Sequence, residues 1–164
     1  MLRIVIAGSR YFNNFELLEE SMIKTLFALN RKNPQLNILT INQKEHTYKI
    51  NCENIEIISG MAKGADTLGV KFAEKYNLVL KEFPAEWDNL SANPCKIVEN
   101  SHGKYNALAG HNRNRKMAEY ASSDESFGVL TLFWDGQSKG SMNMKNQAII
   151  FGLEIHEFII NKQL

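Results

Sequence analysis

The chain has 164 residues, a formal net charge of +1, 44% hydrophobic and 23% charged residues, which suits one globular, soluble domain with a sizeable core. A balance so near neutral gives no electrostatic reason to bind nucleic acid, which asks for a strongly basic surface. No apolar run is long enough to span a membrane and no signal peptide is recognisable, so a cytoplasmic protein without a membrane partner is expected.

Residues 2–7 are apolar except for Arg3 and read as a buried parallel strand, ended by Gly8-Ser9-Arg10. Residues 16–29 carry Leu17, Leu18, Met22, Ile23, Leu26 and Phe27 on one stripe and read as a helix. Residues 30–53 are polar with weak alternation around Ile38 to Ile41, an extended connection or a hairpin. Residues 55–59 are the second core strand, 66–76 the second helix, and 78–83 a third strand stopped by Pro84. Residues 85–110 read as a long loop, which inside a compact domain is commonly functional. A helix over 112–121, a strand over 127–134, a helix over 141–151 and a strand over 153–160 complete the chain.

Alternation of this kind predicts a single α/β domain: a mostly parallel sheet with helices on both faces. Ligands of such sheets bind beyond the carboxyl ends of the strands. The turns at Gly8, Gly60, Pro84 and Gly136 all fall there.

Two of those turns have the chemistry of a phosphate cradle. Gly60-Met61-Ala62-Lys63-Gly64-Ala65-Asp66 joins a β-branched strand to a helix, and its glycines let backbone approach a ligand closely. The helix start adds unpaired N–H groups and a partial positive charge. The spacing is that of neither a dinucleotide fingerprint nor a P-loop. Gly136 to Ser141 repeats the arrangement, with hydroxyls at Ser138 and Ser141 and room at Gly140; an ordinary capped βα turn is the competing reading. Cys52 and Cys95 fit a reduced protein better than a disulfide framework. The four histidines, His46, His102, His111 and His156, are scattered, so no metal is expected.

These segments together resemble a known family. Gly8-Ser9-Arg10, Ser59-Gly60-x-Ala62-x-Gly64-Ala65-Asp66 and Phe83-Pro84-Ala85-x-Trp87 carry the likeness. So do Gly103-Lys104, Ala109-Gly110-x-x-Arg113-Asn114-x-x-Met117 and Phe133-Trp134-Asp135-Gly136-x-Ser138-x-Gly140-Ser141. The pattern resembles the YspA-like, YpsA-related branch of the SLOG superfamily, which also holds the LOG phosphoribohydrolases and the DprA DNA-processing proteins. The resemblance runs from residue 2 to about 155, with insertions around 31–53 and 88–108. It implies a Rossmann-like domain that binds a nucleotide or nucleotide-derived, ADP-ribose-like ligand, in bacteria or phages. It names no cofactor beyond that nucleotide-type ligand, and it allows a homodimer.

Arg113 stands where the hydrolase relatives place an arginine facing the nucleotide, and a guanidinium suits phosphate because it donates as a planar fork. Asn114 could bond the ligand or cap the preceding loop; the sequence leaves both open. Trp87 and Trp134 sit at strand ends, where an indole can stack on a base; for Trp134 a core position is an equal reading. Glu86, Asp88 or Asp135 could accept ribose hydroxyls. Asp66, in a first helical turn, reads as a dipole partner or as a brace for its turn.

Two functions are expected from this. One is a sensor or sequestering protein for a nucleotide, in a phage–host setting. The other is LOG-like cleavage of an N-glycosidic bond. Where the hydrolases carry glutamates this chain has Asn143 and Met144, which cannot take a proton at neutral pH.

Overall fold

The computed structural model describes residues 1–161. In chain order the first half contains β1 (Leu2–Gly8), α1 (Phe15–Lys32), β2 (Leu39–Asn42), β3 (Thr47–Ile50), β4 (Ile55–Ser59), α2 (Ala65–Lys75) and β5 (Val79–Glu82). The second half contains β6 (Ile97–Asn100), β7 (Gly103–Asn106), α3 (Ala109–Ala121), β8 (Phe127–Trp134), α4 (Lys139–Ile150) and β9 (Glu154–Ile159). Among the described residues no helix is long and apolar enough to cross a membrane.

β1 is apolar on both faces because both are covered. Leu2, Ile4 and Ile6 pack toward α1 and α2, while Val5 and Ala7 pack toward α3 and α4. The same alternation runs through β8, where Val129 and Phe133 face one helical layer and Leu130, Leu132 and Trp134 the other. The result is a five-stranded sheet in the order β5-β4-β1-β8-β9, parallel throughout. This is a Rossmann-like α/β architecture. The chain steps outward from β1 through β4 to β5, then returns to the far side of β1 for β8 and β9. That reversal puts a crevice at the carboxyl ends of β1 and β8.

α1 opens on Asn14, whose Oδ1 accepts from the Leu17 N–H at 3.0 Å, and closes on Arg31 and Lys32, charges that suit its C-terminus. α2, α3 and α4 have no side-chain cap at their starts. α3 begins at Ala109 rather than at residue 112: Gly110 looks like loop in the sequence, but here the Trp87 ring lies over it.

Both insertions are antiparallel hairpins. β2 and β3 pair from Leu39↔Ile50 to Asn42↔Thr47, the hairpin alternative for residues 30–53. β6 and β7 pair from Ile97↔Asn106 to Asn100↔Gly103, inside the stretch expected to be loop. Its strands are mostly exposed, so no apolar alternation marked them in the sequence; backbone pairing and one buried asparagine hold them.

Candidate functional site

The turn between β4 and α2 is braced by its own side chains. Ser59 Oγ accepts from the Met61 N–H and donates to the Asp66 carbonyl, each at 3.1 Å. The Asp66 carboxylate accepts from the Ala62 N–H at 3.4 Å. Gly64 has φ +92°, and a Cβ there would stand 2.2 Å from the Ser9 carbonyl. This glycine is therefore required by the packing of the turn onto the end of β1.

α3 brings Arg113 across to the same turn. Its Nη1 donates to the Gly60 carbonyl, and its Nε donates to Asn114 Oδ1 at 3.0 Å. Nη1 also lies 3.9 Å from Asp66 Oδ2. Asn114 Nδ2 donates to Asn143 Oδ1 at 3.0 Å and to the Gly140 carbonyl at 3.3 Å, which ties α3 to the first turns of α4. Asn114 thus serves as a brace between helices.

These elements enclose a cleft of about 420 Å³ beyond the ends of β1 and β8. It brings together Gly8, Ser9, Arg10, Ala62 and Asp66 from the first two turns. Trp87, Arg113 and Asn114 form a second wall, and Ser138, Gly140 and Ser141 a third. Ser9 is 2% exposed, and its hydroxyl has no hydrogen-bond partner among the described residues. Gly140 faces open space: among the described residues, nothing beyond its chain neighbours and its own helix backbone lies within 4 Å of where a Cβ would stand. The sequence reading missed Ala7, Tyr11, Ala107, Gly110 and His111, which also line the cleft, as does Met144, one of the two residues standing where the hydrolases carry glutamates. Gly110 and His111 had a signal, since they open the helix that carries Arg113.

Two guanidiniums and one carboxylate share the cleft. Burial lowers the Arg113 guanidinium from its ordinary value, Asp66 holds it up, and Arg10 lowers it further, so two like charges meet in one cleft. Asp66 is 3% exposed. Burial pushes its carboxyl from 3.8 up to about 6, against the pull of Arg113 and of the Ala62 and Gly60 N–H groups.

Six of the anticipated residues do not line the cleft: Ser59, Gly60, Gly64, Trp134, Asp135 and Gly136. Trp134 belongs to the core: it is 2% exposed and its indole N–H donates to Glu157 Oε1 at 2.8 Å. A base has no free face of it to stack on. Asp135 Oδ1 accepts from the Gln137 and Ser138 N–H groups, which lower its pKa and close the turn before α4. Ser59, Gly60 and Gly64 shape the turn from behind. Trp87, 42% exposed, remains at the cleft wall against Gly110. Glu86 is paired to Lys116 at 2.9 Å, outside this cleft. Among the described residues no group of His, Cys, Asp and Glu is placed to hold a metal ion.

No family model matches the chain, and no curated protein or solved structure matches it.

Proposed function

We propose that this protein binds a nucleotide or nucleotide-derived, ADP-ribose-like ligand in the switch-point cleft, as a sensor or sequestering protein. One observation carries the reading: Arg10 and Arg113 converge where the buried Ser9 hydroxyl lacks a partner and α3 and α4 start without a side-chain cap. Unpaired helix N–H groups, two guanidiniums and a hydroxyl are donors that phosphate oxygens accept. Trp87 at the wall offers an exposed ring against which the ribose can pack. The resemblance to the SLOG superfamily agrees with this chemistry and adds a homodimer to the reading.

The test is mass spectrometry of small molecules released from the purified, heat-denatured protein, with calorimetric titration of AMP and ADP-ribose. A phosphorylated nucleoside in the extract, or binding of either titrant, is expected. Absence of both overturns the reading.

LOG-like hydrolysis is the second reading, and Asp66 favours it. It is the carboxylate in the cleft, beside Arg113, and its raised pKa suits proton transfer near neutrality. In that reaction water adds to C1′ and gives its proton to the Asp66 carboxylate. The C1′–N bond breaks with its electron pair on the base nitrogen, and Asp66 passes that proton to the nitrogen as the base leaves.

A further inference from the structure

A second pocket, about 540 Å³, lies on the other side of Arg113, between the segment after β5 and α3. Arg113 lines both spaces. Phe83, Pro84, Pro94 and Ala109 give the second one apolar surface. Its charges balance: Glu82, Glu86 and Glu119 stand against Arg113, Arg115 and Lys116, and Glu86 is already paired to Lys116. It is therefore a poor place for phosphate and a better one for an uncharged, partly apolar group.

Asn106 supplies the specific feature. It is fully buried and lines this pocket. Its Oδ1 accepts from the Lys96 and Leu108 N–H groups, both at 3.0 Å, and its own N–H donates to the Trp87 carbonyl at 2.8 Å. Two backbone donors on Oδ1 fix which end of the amide is which, since a flip would lose both bonds. Nδ2 is left without a partner among the described residues. A buried donor with no acceptor is costly and uncommon in a folded protein.

We infer that the second pocket holds the heterocyclic base of the ligand, with Asn106 Nδ2 donating to a ring nitrogen or carbonyl oxygen while the phosphate lies across Arg113 in the first cleft. The inference rests on the nucleotide reading above. It sets a preference for bases that present an acceptor at their buried edge.

Calorimetric titration with ribose 5-phosphate and with AMP, GMP, CMP and UMP separates the two levels. Ribose 5-phosphate probes the first cleft alone. At least one monophosphate is expected to bind about tenfold or more tightly than ribose 5-phosphate. Asn106→Asp keeps the acceptor for Lys96 and Leu108 and removes the donor. Ala92→Trp, at a half-buried position two residues before Pro94, fills the pocket and leaves Asn106 untouched. Both variants are expected to erase the advantage of the monophosphate while ribose 5-phosphate binds as before. Persistence of the advantage in both variants, or its absence from the unmodified protein, overturns the inference. Failure of the unmodified protein to bind any of the five compounds overturns this inference, and failure to bind ADP-ribose as well overturns the nucleotide reading.

Discussion

Arg113 and Gly60, on different elements, occupy one another's space. Nη1 of the arginine donates to the glycine carbonyl, and a Cβ on Gly60 would stand 2.5 Å from Nη1 and 2.7 Å from Asp66 Oδ2. Glycine at this position makes room for a guanidinium from α3. Gly140, by contrast, has open space before it and is the glycine that the proposed phosphate would approach.

The two glycines are therefore expected to respond differently to valine. Gly60→Val displaces Arg113 and costs about 1–3 kcal/mol of stability, as overpacking does, in addition to weakening AMP binding. Gly140→Val meets nothing in the protein, so its melting temperature stays close to that of the parent while AMP binding is lost. Thermal denaturation and titration of both variants measure this. Parental affinity in Gly140→Val would remove α4 from the site.

A charge-assisted hydrogen bond contributes about 1.5–3 kcal/mol. Arg113→Ala is thus expected to weaken nucleotide binding by roughly ten- to a hundredfold. Arg115→Ala, an exposed neighbour outside the first cleft, leaves ribose 5-phosphate affinity nearly unchanged. Equal small losses from both would show that neither arginine reads the anion.

Asp66 sets a pH dependence of stability. Its folded carboxyl is raised to about 6 from 3.8, so between those values the folded state keeps a proton that the unfolded chain has released. Stability from this group is full below about pH 4, falls as pH rises to about 6, and stays low above it, a change of about 3 kcal/mol. Asp66→Asn removes the penalty. Denaturant titrations at pH 4 and pH 7 should show the variant gaining on the parent at the higher pH. An equal gap at the two values would refute the buried-carboxylate account.

Binding is expected without turnover. Asn143 and Met144 stand where the resemblance puts glutamates, and Asn143 Oδ1 is engaged by Asn114. Incubation with AMP and other monophosphates, followed by chromatography, should yield no free base at an enzyme-like rate. Release abolished by both Arg113→Ala and Asp66→Asn would establish the hydrolase in place of the binder.

The sequence by itself determined the layers. The unbroken apolar run of β1, the stripe of α1 and the β-branched run of β4 are local patterns, and burial on one face or two writes them directly into residue order. Only β8 carried an unread clue: its period of two already assigns Trp134 to the same face as Leu130 and Leu132, inside the core. Tertiary structure alone decided what the glycines are for, because their neighbours come from other elements: Arg113 at Gly60, the end of β1 at Gly64, open space at Gly140. It also decided which polar groups lack partners. Ser9 and Asn106 look ordinary in sequence, and their unpaired atoms follow from long-range packing that no local pattern encodes. The hairpin of β6 and β7 escaped for a different reason: its strands bury little, so pairing rather than apolar periodicity defines them.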